Sequence, residues 1–384
     1  MIKEIRIKNF KSIQKLKLDI GRLTVLIGEN GSGKTNVLEA LALCSAAADR
    51  KLDNEFLASR GIRVPEPEFM RAAFDKENIS QEITITFRGD DDNRFGCVLQ
   101  NDNGPFSKWI VKTDELANMI AQSIIGQFER IGIDKPYLND LIEKEETVFK
   151  EIIQQQVEKL RDTTRNLNLH EFLIYSPENF SLRVFEKEGQ IEPLGINGEG
   201  LFKLLKVLSM DENIEKLNII KEKLRCINWF RDFDIPDKSE MEKLIRIKDK
   251  YLDETFDQKS SNEGFLFLLF YFALFVSDDT PDFFAIDNID ASLNPKLCSH
   301  LIEELTGLAK KFGKQAILTT HNPAILDGLN LDDPEQKLFV VFRNKLGYSK
   351  TRQILKPETP EGEEPVRMSE AFLRGYLGGL PKGF

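Results

Sequence analysis

The sequence predicts an α/β fold with a mixed central sheet, and three stretches carry that prediction. Leu23 to Ile27 is a compact apolar run that enters the glycine-rich turn GENGSGKT, Gly28 to Thr35, before the helix-forming residues Asn36 to Leu43. Phe283 to Ile286 is a second apolar run and ends on Asp287. Gln315 to Thr319 is a third, and it leads into THNP, Thr320 to Pro323. Short apolar runs bounded by turn residues and polar ends have the pattern of buried strands.

Taken in order, the chain opens with Lys3–Ile7 and Ser12–Leu18, two alternating segments that predict a hairpin at a sheet edge. The strand, glycine turn and helix that follow form the context a phosphate-binding loop requires. Gly28, Gly31 and Gly33 let the backbone aim its N–H groups at phosphates, and Asn30, Ser32 and Asn36 complete the candidate nucleotide-binding set. Lys34 reaches the β and γ phosphates, and the Thr35 hydroxyl is placed to ligate Mg²⁺. Ile83–Phe87 and Phe95–Leu99 predict a strand pair. From Glu115 to Leu169 the pattern turns helical, with LNDLIEKEETVFKEIIQQQVEKL, Leu138 to Leu160, at its centre. Phe172–Tyr175 is another core strand, residues 212–225 are helical, and Ile235 with Leu244–Ile247 is further strand material.

GINGEGLFKLLKVL, Gly195 to Leu208, joins a glycine turn to an apolar helix and is assigned a structural role. KSSNEGFLFLLFYFALF, Lys259 to Phe275, opens a longer apolar helix immediately before the acid strand, with Ser261, Asn262, Glu263 and Gly264 at its start. Asp287 is the expected partner of Thr35 in holding Mg²⁺, and His321 leaves its strand where it can sense a γ-phosphate or position water. After that come a hairpin from LFVVFRN to Thr351–Leu355, the connector LKPETPEGEEP, and a short amphipathic helix with a glycine-rich tail.

Bulk properties narrow the class. The longest apolar run, Phe265 to Val276, is too short to span a bilayer, and the first residues offer no signal-like apolar block. Cys44, Cys97, Cys226 and Cys298 have neither zinc-ligand spacing nor the density of a disulfide framework, so a cytoplasmic address is expected. A net charge of −10 argues against a wholesale basic coat for nucleic acid and leaves a local patch open.

The phosphate loop, the acid strand, the SLNP stretch (Ser292 to Pro295) and the strand before His321 together resemble the ATPase heads of the ABC type. The resemblance is to the branch holding the RecF, Rad50 and SMC proteins and the ATPase part of the overcoming-lysogenization-defect family. It implies a P-loop NTPase of the ABC-head type, with an antiparallel lobe and a helical insertion. The implied layout is 1–110 for the first part of the head, 111–169 for the insertion, 170–356 for the remainder and 357–384 for the tail. Ser261 and Gly264 would be the signature that faces the γ-phosphate held by another subunit. Long coiled coils leave the Rad50 and SMC heads, whereas residues 115–169 have room for one short hairpin. The glutamine loop of such heads has no clear counterpart; Gln100 and Gln122 are the candidates. Nothing resembles the fused nuclease domain of the overcoming-lysogenization-defect proteins, so an effector is expected to be a separate polypeptide.

The resemblance implies ATP and Mg²⁺ as cofactors and a nucleotide-sandwich dimer or higher oligomer. No membrane partner is expected, and DNA is a candidate partner because Lys3, Arg6, Lys8 and Lys11 line one edge, a solvated face being the equal alternative. One position departs from the pattern. Such heads usually place a glutamate after the magnesium Asp, and here that residue is Asn288. An amide cannot take a proton at neutral pH. Asp290 is the nearby carboxylate that can stand in, so slow or partner-activated hydrolysis is expected, with a scaffold of little turnover as the alternative. The catalytic candidates are therefore Asn288, Asp290 and His321.

Overall fold

The computed structural model describes residues 1–90, 94–104, 107–112, 169–185, 191–236, 244–356 and 366–378. The expected helical insertion, Gln122, most of the acidic connector and the end of the glycine-rich tail lie outside the described residues.

The chain opens with β1 (Ile2–Phe10), β2 (Ile13–Asp19) and β3 (Leu23–Ile27), then α1 (Lys34–Ala48), α2 (Asn54–Ser59) and α3 (Pro67–Met70). The predicted hairpin is present, and β2 is the edge of a five-stranded antiparallel sheet. That sheet is completed by β4 (Ile83–Gly89), β5 (Arg94–Gln100) and β6 (Ile110–Val111) in the order β2-β1-β4-β5-β6. Then come β7 (Ile174–Tyr175), α4 (Asn179–Arg183), α5 (Leu201–Leu208), α6 (Ile214–Leu224) and a small antiparallel sheet of β8 (Phe230–Asp234), β9 (Arg246–Asp249) and β10 (Phe256–Asp257). Ile235 and Leu244 flank these strands instead of lying in them. The last third holds α7 (Glu263–Val276), β11 (Phe283–Ile286), α8 (Pro295–Lys311), β12 (Gln315–Thr320), β13 (Gln336–Arg343), β14 (Ser349–Ile354) and α9 (Met368–Leu373).

The central sheet runs β14-β13-β3-β12-β11-β7, parallel throughout except for β14. Because side chains alternate along a strand, each strand feeds two cores. Phe284, Ile286, Val25, Ile27 and Leu318 join one core with α5, α7 and α8; Phe283, Ala285, Leu26 and Ile317 join the other with α1 and the antiparallel sheet. Both faces of the central strands are thus dry, which is why their sequences are continuous apolar runs. Every residue of α7 from Phe265 to Val276 is buried. A helix apolar on all sides needs neighbours on all sides, and here α6, α8, α4 and α5 surround it while Phe270 and Phe275 meet Tyr175 and Phe284 of the central sheet. Among the described residues no helix is long and apolar enough to cross a membrane.

Candidate nucleotide-binding and hydrolysis site

Strand register decides which side chains meet. Ile286 of β11 lies opposite Leu318 of β12, and Thr320 of β12 lies opposite Ile27 of β3. Gly28, Asp287 and His321 therefore emerge together at the carboxyl-terminal edge of the sheet, where ligands of open α/β sheets bind.

The glycine loop is shaped by its surroundings as well as by its own sequence. Gly33 has φ 104 and caps α1, and a Cβ there would lie 2.1 Å from Ser349 Oγ. No other residue type fits. Ser349 Oγ donates to the Ser32 carbonyl at 2.6 Å and shares a 2.6 Å bond with Ser12 Oγ, which also accepts from Asn36 Nδ2. Arg343 Nε donates to the Gly31 carbonyl at 2.9 Å. These bonds hold the loop carbonyls from behind. Gly31, at φ 72, faces open space, and the buried Ser32 hydroxyl has no partner among the described residues. Exposed Asn30 sits beside Gly31 at the tip. An open loop with an orphaned hydroxyl and a helix N-terminus behind it fits a phosphate chain.

Lys34 is buried, and its Nζ donates to the carbonyls of Gly28 (2.8 Å) and Glu29 (3.1 Å). Burial lowers its pKa to about 8, against the pull of Asp287, Asp290 and Glu29. His321 Nδ1 is 3.4 Å from the same Nζ. Partial burial of the His321 ring, followed by the Lys34 charge, lowers the histidine pKa further than Asp290, Asp287 and a backbone contact at Gly28 raise it. A neutral imidazole at pH 7 follows, able to accept or donate one hydrogen bond.

Asp287 is held on both oxygens. Thr35 Oγ1 donates to Oδ2 at 3.0 Å, and Thr319 Oγ1 donates to Oδ1 in a short bond. A hydroxyl beside a carboxylate at the phosphate end of the loop is the donor set Mg²⁺ takes in nucleotide sites. Thr319 Oγ1 also accepts from the Asn288 backbone N–H at 3.0 Å, so one hydroxyl orients both residues. Asn288 itself is exposed and left-handed, with φ 54. Asn tolerates that conformation better than the expected glutamate, which gives a backbone reason for the residue found there. The chain turns after Asn288, so Asp290 does not share its face along a strand. Instead Thr320 Oγ1 donates to Asp290 Oδ1 at 2.6 Å, which sets that carboxylate beside the His321 turn.

The signature stretch opens α7, as expected, but Asn262 is its cap, accepting from the Phe265 N–H at 2.9 Å. Ser261 is buried and its hydroxyl has no partner among the described residues, an orphan at the amino end of a long helix. Exposed Glu263 and half-buried Gly264 follow it, and Gly264 packs against the Ser292 backbone. Within this single chain the signature is not brought to Lys34 by any hydrogen bond among the described residues. Gln100 lies in β5, accepting from Arg71 and donating to the Ser80 carbonyl, and belongs to the antiparallel lobe. Thr319, Thr320, Ser12, Ser349 and Arg343 were not legible as site residues. The paired threonines ahead of His321 were the one available signal.

The family described as "AAA domain, putative AbiEii toxin, Type IV TA system" matches residues 23–327, from the phosphate-loop strand to just beyond His321. The chain belongs to this family. The DNA double-strand break repair Rad50 ATPase of Methanococcus maripaludis is 23% identical over 258 residues, 59% of this chain and 25% of that protein. The OLD nuclease of Thermus scotoductus is 33% identical over 87 residues, 23% of this chain and 14% of that protein. This head therefore spans a quarter or less of those relatives. A solved SMC head bound to the C-winged helix domain of ScpA has the same fold, with a TM-score of 0.54 and 14% identity over 92% of this chain and 98% of that one. In sequence the chain is thus similar to the Rad50 and OLD proteins, and in fold to an SMC head.

Proposed function

We propose that this head binds Mg²⁺–ATP and works as a slowly hydrolysing conformational switch. The observation that carries the reading is the convergence of Lys34, Thr35, Asp287 and His321 at one sheet edge, with an exposed amide, Asn288, where a proton acceptor is expected. Lys34 and the loop amides would hold the phosphates, and Thr35 with Asp287 would hold the metal that neutralises them. Asp290, anchored by Thr320, is the carboxylate left to accept a proton from water, with His321 positioning that water or sensing the γ-phosphate. The orphaned Ser261 hydroxyl at the start of α7 would complete the site of a second copy, so ATP would clamp two heads and hydrolysis would release them.

The setting we favour is DNA maintenance or anti-phage defence with a separately encoded effector. The names of the relatives agree with it in kind. Direct DNA contact is supported by Lys8 and Lys15, which sit opposite each other on the β1–β2 hairpin, both exposed and without ion pairs among the described residues. Like charges placed across a ladder repel, and a polyanion would relieve them. The alternative is an ATP-dependent scaffold with little turnover, favoured by the inability of Asn288 to act as a base.

A steady-state ATPase assay with and without DNA tests the reading on wild type, Lys34→Ala, Asp290→Asn and Asn288→Glu. Wild type should turn over slowly, Lys34→Ala not at all, and Asp290→Asn should lose about a hundredfold, the range of a general base. Fast wild-type turnover indifferent to Asp290→Asn would overturn the switch mechanism. ATP-dependent assembly with no turnover would favour the scaffold.

A further inference from the structure

A chain of side-chain bonds that the nucleotide site does not use surrounds the contact between Gly264 and Ser292. Glu263, in the first turn of α7, accepts from Asn179 Nδ2 on one carboxylate oxygen (2.6 Å) and from Ser292 Oγ on the other (2.9 Å). The Asn179 side-chain oxygen accepts from Arg183 Nε at 2.8 Å, and the same guanidinium donates to the Lys259 carbonyl at 2.8 Å, just ahead of buried Ser261. Three segments distant in sequence are joined this way: α4, the signature loop and the loop after β11.

Polarity is fixed along the whole chain. A carboxylate only accepts, so Asn179 must turn its NH₂ to Glu263 and keep its oxygen for the guanidinium. Ser292 is left-handed, with φ 58, a conformation serine adopts only when its surroundings hold it. The Glu263 bond supplies such a hold. Asn288 is also left-handed, so the loop carrying Asp290 is entered and left through unfavourable backbone conformations. A loop of that kind keeps its shape only while its anchors last.

We propose that Glu263 is a positioning residue that ties the signature end of α7 to the loop bearing Asn288 and Asp290, supported by Asn179 and Arg183. Its geometry is independent of turnover; its consequence for catalysis rests on the ATPase reading. A signature engaged by a second copy's nucleotide would then be felt at the hydrolytic loop of its own chain.

Reversing the polarity of the pair tests this. Asn179→Asp sets two carboxylates together, whereas Glu263→Gln alone can turn its oxygen to Asn179 and donate its NH₂ to Ser292 Oγ, which as a hydroxyl also accepts. In the double variant the new amide donates to the new carboxylate, which still accepts from Arg183, and the Ser292 bond is retained. Amide hydrogen exchange over residues 288–294, on the full chain without nucleotide, should rise about threefold in Asn179→Asp, change little in Glu263→Gln, and return to the wild-type rate in the double. Ser292→Ala, a mild loop change, should raise the same amides and keeps the test open if a charge change impairs folding. With ATP, Asn179→Asp should lower kcat at unchanged KM and the double should recover it. Wild-type exchange in Asn179→Asp and in Ser292→Ala, or a double variant no better than Asn179→Asp, would overturn the proposal. Restored exchange in the double with no turnover in wild type would uphold the tie and remove only the ATPase reading.

Discussion

Thr35 Oγ1 donates to Asp287 Oδ2 at 3.0 Å, joining the end of the glycine loop to the end of the acid strand. Their separation in sequence is bridged by the parallel pairing of β3, β12 and β11, which fixes both residues at one edge. If Thr35 and Asp287 hold Mg²⁺, the Thr35 hydroxyl would give up this bond to offer its oxygen to the ion. Asp287→Asn keeps the shape and the threonine bond while removing the charge the ion needs. Nucleotide affinity in excess Mg²⁺ should fall about tenfold or more, and the Mg²⁺ dependence of binding should flatten. Titration with a fluorescent ATP analogue at several Mg²⁺ concentrations measures both.

Lys34 gives a pH prediction. Its folded pKa of about 8 lies below the usual 10.5, so the folded chain holds this proton less tightly than the unfolded chain does. The charged side chain therefore costs stability at pH 7, and the cost shrinks as pH rises from about 8 through the ordinary lysine range. A bound phosphate chain reverses the balance by favouring the charged form. ATP binding should take up almost no proton at pH 7 and a growing fraction of one above pH 8, with affinity falling over that range. Calorimetry in buffers of different ionisation enthalpy reads the uptake. Lys34→Met should abolish binding yet stabilise the nucleotide-free protein by roughly 1–2 kcal/mol, part of the gain being offset by the two lost carbonyl bonds.

Thr319 is fully buried and its hydroxyl serves two neighbours, donating to Asp287 Oδ1 and accepting from the Asn288 N–H. Thr319→Val has nearly the same shape and leaves both groups unpaired. It should cost about 1–3 kcal/mol in urea denaturation, whereas Thr319→Ser should recover most of that. A valine variant as stable as wild type would mean that water replaces the hydroxyl and that the threonine has no orienting role.

The elements legible in the sequence were those set by local pattern. Leu23–Ile27, Phe283–Ile286 and Gln315–Thr319 are continuous apolar runs because both faces of the central sheet are covered, and each ends on the residue that enters the site. What escaped were contacts made by register and by loops from elsewhere. Ser349 touches the glycine loop only because β14 closes the sheet edge near the β1–β2 turn, and no local pattern marks a serine for that. Ser261 is left without a capping role because Asn262, one step outside the first helical turn, takes it. The left-handed backbone at Asn288 was equally hidden, and it changes the meaning of the missing glutamate.

That backbone makes Asn288 testable through stability. With φ 54, Asn288→Gly should be neutral or slightly stabilising, while Asn288→Ala should cost about 1 kcal/mol. Asn288→Glu should cost a similar amount, so any gain in turnover from the restored carboxylate must be measured well below its melting temperature. Equal stability of the alanine and glycine variants would show that the loop relaxes out of the left-handed region.

Thr320 offers the sharpest test of Asp290. Its buried hydroxyl donates to Asp290 Oδ1 at 2.6 Å and accepts from the Asn322 N–H at 2.9 Å, so one group fixes the carboxylate and the turn that presents His321. If Asp290 accepts the proton of the attacking water, its value depends on where that oxygen is held. Thr320→Val should then lower kcat about tenfold with little change in KM, and Thr320→Ser should restore it. Asp290→Asn should lower kcat further, and adding Thr320→Val to it should cost almost nothing more, because the hydroxyl has no catalytic carboxylate left to hold. Two residues acting through one atom must be non-additive in this way. Fully additive losses would instead assign Thr320 to the histidine turn alone and leave Asp290 without support as the proton acceptor.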